Sequence, residues 1–597
     1  MSESRRALPA LFAFMVLGFA AAIGWAAFHP APEVLIDPLL PWWKLRSGLL
    51  LFIRFFPSLL TSGILTGYAI AFSPRKGSQT GAVPRWSAEH IVQLRGAFII
   101  CILSLSVYVI LDEGVKPSMT RHQEADIAKS ENYREYLRLA EADIGTGSFA
   151  GALSYAELAL RIKKDDGDAT RLREVARKGL AESGENVSAA AGETGGTAIE
   201  SYNPENLTVR SALSRSKSAL SAGDWYTAHY YAMLAWRLAP GTDPLKQDAL
   251  RLASEAWNRI TEGTAAANPA EAKLFDIKRA GYESIENGDF LNAYYVLRDL
   301  RDRESAANPS KIDPDVDRLL DIATQGLLDT RFFIDETFDL ASFESDRNVF
   351  FTVTRTDGGV DAVFARGIAY ARANGHDLAY LRGFEYASFS SAGTLLYHFV
   401  TPYAKLFPWR DEGGTVRPEI LLRAEDRARK DNGTGPAVIR GELPERESSI
   451  LVLDMPYADF TRATLANRGF ESMDLADLMR FADKAERYGF SGEGFMREII
   501  MRLSEPFIVL IVAILMITMG WKYRLSPNSF FKAWWILPLP ALPVVLEGVL
   551  ESVRYFIALF VAVFVGIAPS FALLLTLALL VTAFIASTVF FFSQRSD

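Results

Sequence analysis

The sequence predicts a multi-domain membrane protein: six transmembrane α-helices, arranged three plus three, around a soluble middle that is helical first and β afterwards. Three observations carry this. Apolar runs cluster at the two ends, a Gly-polar-aromatic turn followed by alanines recurs through the middle, and alternating apolar residues with Asp-Gly turns come after it. The chain has 597 residues, a hydrophobic fraction of 50% and a formal net charge of −8. Such apolar content excludes disorder, and the negative balance excludes a basic nucleic-acid binder. A single cysteine, Cys101, lies in an apolar run, so no intrachain disulfide and no cysteine cluster for zinc or iron–sulfur can form.

Leu8 to Phe28, Gly48 to Phe72 with Arg54 inside it, and Gly96 to Leu111 are the first three spans. Each approaches the ~20 residues that a helix needs to cross the hydrocarbon core. Leu8 to Phe28 reads as a retained span, because it is longer than a signal h-region and is followed by Pro-rich sequence. Ile499 to Trp521 is the fourth span. Ala533 to Phe592 holds two more, divided at Gly566-Ile567-Ala568-Pro569-Ser570. Positive charge marks the cytoplasmic side. Arg5, Arg6, Arg75, Lys76, Arg85, Arg95, Lys522, Arg524, Lys532 and Arg595 fall on one side, against Lys44 and Arg46 on the other. Both termini are therefore expected in the cytoplasm, and the middle in the periplasm of a bacterium whose inner membrane holds the chain. The expected divisions are 1–117 with a cytoplasmic loop at 73–95, a helical region at 118–328, a β domain at 329–472, and a connecting helix with three spans at 473–597.

In the helical region the recurring pattern is Gly147-Ser148-Phe149-Ala150-Gly151-Ala152, Gly223-Asp224-Trp225-Tyr226-Thr227-Ala228 and Gly288-Asp289-Phe290-Leu291-Asn292-Ala293. With small residues continuing at Ala156 and Ala159, then Ala232 and Ala235, this resembles tetratricopeptide (TPR) helix pairs. The steps from Ala152 to Ala228 to Ala293 are 76 and 65 residues, too long for a tight array, so each unit needs an extra helix such as Pro244 to Ile260. A generic helical bundle would show the same alanines and aromatics. Ser183 to Asn206 reads as a flexible linker. After Leu328, strands are expected at Val349 to Thr354, Val360 to Tyr370, Leu378 to Leu381, Gly383 to Phe389, Thr394 to Val400 and Ile450 to Leu453, with an irregular loop over Trp409 to Glu447. Met473 to Tyr488 is an amphipathic helix leading back to the membrane.

Three spans, an extracytoplasmic β domain and three more spans resemble the LptF/LptG permease family, which exports lipopolysaccharide. Leu111-Asp112-Glu113-Gly114-Val115-Lys116-Pro117 is similar to that family's exit from the third span. Leu381-Arg382-Gly383-Phe384-Glu385-Tyr386 resembles its Leu-x-Asp-Gly hairpin, with Arg382 in place of the acidic residue. Met473-Asp474-Leu475-Ala476-Asp477-Leu478, Gly489, and Glu498 to Pro506 with Arg502 four residues before the proline are similar in order and spacing to its approach to the fourth span; Pro57 also fits. The resemblance covers about half of the chain, and the helical repeats would be an insertion. It implies a jelly-roll-like β domain that accepts acyl chains, an LptB-like ABC ATPase dimer, a second LptF/LptG-like permease, a periplasmic LptC/LptA-like bridge and a glycolipid substrate. Phe351, Val353, Tyr397 and Phe399 are explained equally well as ordinary sheet core.

No Gly-x-x-x-x-Gly-Lys-Ser/Thr occurs, so ATP hydrolysis would belong to a partner subunit. By resemblance the ATPase contacts the loop after the second span, where Ser87 to Arg95 forms a short coupling helix with Glu89 as the docking acid and Arg85 and Arg95 beside it. Charges inside spans are costly and usually face a cavity or a partner, which singles out Arg54, Arg502, Glu505, Glu547, Glu551 and Arg554. Arg54 and Arg502, near Lys44 and Arg46, either bind the phosphates or acidic sugars of a lipid headgroup or snorkel to the interface. Glu547, Glu551 and Arg554 share one helical face and either pair within the chain or close a gate against a second permease. His376 and His398 join no catalytic set, and no cofactor or metal is expected. Two functions follow: a transport permease, or a membrane-anchored periplasmic scaffold whose helical repeats bind envelope proteins without transport.

Overall fold

The computed structural model describes residues 4–71, 88–183, 208–241, 243–262, 269–307, 313–338, 344–373, 376–411, 413–427, 429–522 and 539–593. Among these, six helices are long and apolar enough to cross a membrane. They are α1 (Ser4–Phe28), α2 (Leu40–Ala71), α3 (Ala88–Val109) with its continuation α4 (Lys116–Thr146), α16 (Gly492–Lys522), α17 (Leu542–Ile567) and α18 (Ala572–Ser593).

Helices α2 and α16 form the centre of the bundle. Of their most apolar windows, 61% and 50% are buried, against 11% for α1 and 17% for α17 and α18. Leu60 and Ile64 of α2 meet Val509, Val512 and Met516 of α16, with Cys101 and Leu105 of α3 and Leu580 of α18 around them. Shape decides the packing of this core. A β-carbon on Gly63 would lie 2.8 Å from the Leu11 Cα, and one on Gly520 3.0 Å from the Leu65 carbonyl oxygen. Small residues thus set how closely α1 and α16 approach α2, as is usual where helix contact cannot rely on a hydrophobic driving force.

The third span does not stop where it leaves the bundle. A π-helical turn, Ile110–Val115, joins α3 directly to α4; the Lys116 N–H reaches back five residues to the Leu111 carbonyl, and Pro117, which has no N–H to offer the ladder, follows directly on this widened turn. The continuous rod from Ala88 to Thr146 is roughly 90 Å long at 1.5 Å per residue. Correspondingly, the expected coupling helix is not a separate element: residues 88–95 are the opening turns of α3.

Among the described residues, three units of three helices follow, with α4 as the first member of the first. They are α4, α5 (Phe149–Ile162) and α6 (Gly167–Ser183); α7 (Val209–Ser221), α8 (Trp225–Leu238) and α9 (Leu245–Glu262); and α10 (Pro269–Glu286), α11 (Phe290–Ala307) and α12 (Pro314–Leu328). In each, the recurring turn joins the first helix to the second. Gly147, Gly223 and Gly288 take φ of 80°, 79° and 76°, the left-handed region that ends a helix without a β-carbon clash. Ala152, Ala228 and Ala293 then pack with no exposed surface. The third helix of each unit fills the long spacing between copies.

After β1 (Phe332–Phe333) and the single turn α13 (Asp335–Phe338) come β2 (Glu344–Thr354), β3 (Val360–Ala373), β4 (His376–Phe389), β5 (Leu395–Arg410), β6 (Val416–Leu421), β7 (Ala424–Glu425), β8 (Ala437–Gly441) and β9 (Ile450–Val452). The main sheet is an antiparallel meander in the order β2-β3-β4-β5-β6-β9, with β8 on the first half of β5; β1 pairs with β7. This corrects two expectations. Trp409 to Glu447 is not an irregular loop, since it contributes β6, β7 and β8. Leu381 to Tyr386 is not a hairpin turn either, since it runs through the middle of β4. The jelly roll implied by the resemblance requires two facing sheets. Here one sheet is faced by α14 (Tyr457–Arg468) and α15 (Leu475–Ala482): Phe460, Phe481 and Tyr488 bury themselves against Val349, Phe351, Phe384 and Phe399. Asp474 caps α15, its carboxylate accepting the Asp477 N–H at 2.7 Å.

Across β2 and β4, Arg382 donates to both carboxylate oxygens of Glu344, at 2.5 and 2.9 Å, and Glu344 is only 3% exposed. Hydrogen bonding to that carboxylate raises the Arg382 pKa, with burial opposing it. Arg382→Ala strands a buried charge and is expected to destabilise the sheet by about 3–5 kcal/mol, read from hydrogen exchange of β2–β4 amides in the detergent-solubilised chain; a loss below 1 kcal/mol would contradict the pairing. In the first helical unit, Asp166 caps α6 through the Ala169 N–H at 2.9 Å and holds Lys163 at 2.8 Å. Burial pushes its carboxyl up, but the Lys163 and backbone hydrogen bonds outweigh this and hold it at about 2. A carboxyl depressed on folding stabilises fully above its unfolded pKa, near 4, and loses that contribution as pH falls through about 2. Protection of α6 amides should therefore exceed that of Asp166→Asn at neutral pH, with the gap closing between pH 4 and pH 2.

Candidate functional site

Where the bundle meets the soluble part, four helices leave a cavity of about 700 Å³. The N-terminal half of α2 contributes Ser47, Leu50, Leu51 and Arg54; the α3–α4 rod contributes Tyr108, Asp112, Lys116, Thr120 and Gln123. Glu498, Met501, Arg502 and Glu505 come from α16, Arg554 from α17, and Glu471 from the short turn before α15. Helical geometry gathers these groups. Glu498, Arg502 and Glu505 repeat at i, i+4 and i+7, as do Glu547, Glu551 and Arg554, so each set lies on one face.

Almost every charge on the wall has a partner. The Arg554 guanidinium crosses from α17 to α16, donating through Nε to both Glu505 oxygens at 3.0 and 3.1 Å and through Nη2 at 2.5 Å. Its Nη1 reaches Glu547 at 2.9 Å, one side of a carboxylate whose other oxygen, Oε2, is buried without a hydrogen-bond partner among the described residues. Arg54 of α2 meets Glu551 of α17 at 2.8 Å, and Lys116 meets Asp112 at 3.1 Å across the π turn. Arg502 bonds Glu498 at 2.8 Å, Glu113 at 3.3 Å, and the carbonyls of Met473 and Phe470 at 2.8 and 2.7 Å.

The basic headgroup cluster expected from Lys44, Arg46, Arg54 and Arg502 does not form. Lys44 donates to the Ala27 carbonyl at the C-terminal end of α1, where a cation suits the helix dipole. Arg46 pairs with Asp126 of α4. Neither lines the cavity. Four of the five N–H donors of Arg502 are committed, leaving it a structural tie. Arg54 remains, with one bond and a side chain 65% exposed. Glu547, Glu551 and Arg554 pair inward, with α2 and α16, so within-chain pairing accounts for that face. Of the coupling residues, Arg85 lies outside the described residues, Glu89 belongs to the first turn of α3, and Arg95 is exposed on the same helix.

Sequence reasoning missed Lys116, Tyr108, Gln123 and Glu471, which carry no signal until the rod and the turn before α15 are placed beside α16. The outcome is a cavity of mixed sign, not a basic one. Among the described residues, the wall and its ion-pair partners hold four cations (Arg54, Lys116, Arg502 and Arg554) and seven carboxylates (Asp112, Glu113, Glu471, Glu498, Glu505, Glu547 and Glu551). Chemically, such a wall offers no nucleophile and base in catalytic array; it can exchange ion-pair partners with a charged ligand. Compared with known proteins, the chain matches no family model and no curated protein.

Arg502→Ala removes both carbonyl contacts and leaves Glu113 and Glu498 without their cation, so a loss of about 3–5 kcal/mol is expected in thermal unfolding of the nanodisc-embedded chain. Arg54→Ala breaks an exposed pair and should cost no more than about 1 kcal/mol. Equal losses would mean that Arg54 is also structural.

Proposed function

We propose that the chain is the permease half of an ABC-type lipid exporter. It extracts lipopolysaccharide or a related glycolipid from the inner membrane of a bacterium and passes it, by way of its β domain, toward the outer membrane. ATP hydrolysis is the work of an LptB-like ATPase dimer, a second LptF/LptG-like permease completes the pore, and an LptC/LptA-like bridge receives the lipid. The observation that carries this reading is the charged cavity between α2, α16, α17 and the α3–α4 rod, at the end of the bundle nearest the soluble part. A membrane anchor has no need of ionisable groups on three spans.

The rod supports the reading mechanically. One end begins at Ala88, on the side assigned to the ATPase, and α4 is held to the β domain by Arg347, which bonds Glu131 and the Ala128 carbonyl. A displacement of α3 is thus delivered to the soluble part without an intervening loop. Transfer across the β domain requires α14 and α15 to lift from the apolar face they cover.

The scaffold remains the second reading, favoured by three tetratricopeptide-like units that the transport scheme leaves without a task. Native purification of the tagged chain from its host, with mass spectrometry of bound proteins and lipids, separates the two. An ABC ATPase and a second six-span permease are expected. Recovery of envelope proteins alone, under conditions that preserve a known ABC complex, would replace the exporter by the scaffold. In the reconstituted complex, Arg54→Gln should weaken lipid-stimulated ATPase activity, and unchanged stimulation would remove Arg54 from lipid contact.

A further inference from the structure

We infer that the cavity selects a lipid headgroup carrying a primary ammonium beside a phosphate, and discriminates against headgroups that are anionic alone. This rests on the reading of the cavity as a headgroup site and names the class of headgroup it takes. The first argument is electrostatic. The lining itself holds four cations and four carboxylates, and the ion-pair partners Glu113, Glu547 and Glu551 beside it add three carboxylates, so the wall with its partners carries a formal excess of negative charge; Glu547 Oε2 is buried with no donor among the described residues. A purely anionic ligand adds to that excess. A ligand that brings its own cation does not.

The second argument identifies the pair that opens. The Arg554–Glu505 pair has side chains only 22% and 13% exposed, and Arg502–Glu498 13% and 31%, whereas Arg54–Glu551 has 65% and 52%. Glu551 also stands at the edge of the inward face of α17, in helical register with Val544 and Tyr555, both exposed on the outer face of the bundle. A lipid diffusing along α17 therefore reaches this pair first. When the headgroup enters between the two side chains, Arg54 turns from Glu551 to the phosphate, for which its planar fork is suited, and Glu551 accepts the ammonium. One ion pair becomes two, and no charge is left alone. With a headgroup that has phosphate and hydroxyls only, Arg54 gains its partner while Glu551 loses one.

The third argument concerns the ammonium itself. A primary ammonium has three N–H donors, and a trimethylated one has none. Recognition by the Glu551 carboxylate thus separates ethanolamine-type from choline-type headgroups, although their charges are equal.

Two sources supply this chemistry: a phosphatidylethanolamine-type phospholipid, or a glycolipid whose phosphate is esterified with ethanolamine. The test uses the full chain in phosphatidylcholine nanodiscs, doped in separate arms with phosphatidylethanolamine, phosphatidylglycerol, lipid A, or lipid A bearing phosphoethanolamine, and reads retained lipid by native mass spectrometry. We expect at least one ethanolamine lipid to be enriched about tenfold over its ethanolamine-free counterpart, the scale of one charge-assisted hydrogen bond. The arm in which this occurs identifies the source. Glu551→Gln should abolish the preference but keep phosphate-dependent retention, and Arg54→Gln should reduce retention of all four doped lipids. Retention of phosphatidylglycerol or plain lipid A equal to or above that of the ethanolamine forms, still sensitive to Arg54→Gln, overturns the inference and leaves the headgroup site standing. No enrichment of any lipid and no effect of Arg54→Gln overturns both.

Discussion

Arg502 is the tie on which the join between membrane and soluble parts depends. It stands about three turns into α16, yet its guanidinium holds the carbonyls of Phe470 and Met473, just ahead of α15, and the Glu113 carboxylate in the π turn of the rod. Glu113 in turn accepts the Leu475 N–H at 3.0 Å, at the start of α15. Three elements that would otherwise meet only through flexible connections are thereby locked at one point, and each group involved is satisfied by the others. The tie fixes the rod, α16 and the turn before α15, three of the five segments that wall the cavity, at one point.

Above that point the soluble part is organised along α4. The helical units begin on it, and the sheet leans on it through Arg347 and through Arg468, which reaches Glu124 at 3.7 Å and Asp346 of β2. Farther out, Tyr295 of α11 donates to the Asp426 carbonyl, so the third helical unit also touches the segment that follows β7. The soluble domains are therefore braced against one another.

Much of the architecture was legible from sequence because it depends on local rules. Spans follow from apolar length, and the turn glycines mark each helix hairpin because only that residue relaxes at φ near +80°. What was hidden depends on neighbours remote in sequence. Pro117 suggests a helix end, but the π turn just before it carries the helix through, so the rod has no local sequence signal. Pro408 and Pro418 suggest a loop, yet they face each other across β5 and β6. The amphipathic helix before the fourth span was visible, but not that it would cover the sheet. At the site, the charged residues inside the spans could be named one by one. Their pairing could not, because nothing local says that Arg46 will meet Asp126 or that Arg502 will spend its donors on backbone carbonyls, and so a mixed cavity was read as a basic one.

The ion pair between Arg54 and Glu551 also has a history in time. Its members are 497 residues apart, and those of Arg502 and Glu113 are 389 apart. At the usual pace of synthesis, Arg54 waits roughly 25 to 100 seconds in or beside the bilayer before Glu551 leaves the ribosome. During that interval the first three helices hold an uncompensated cation and the rod an uncompensated acid. The amino-terminal half of the bundle is thus inserted before its ion-pair partners exist, and the last three helices supply them. A ribosome that stalls in the soluble middle would leave behind a membrane fragment with its charges unmatched, the kind of product that quality-control proteases recognise.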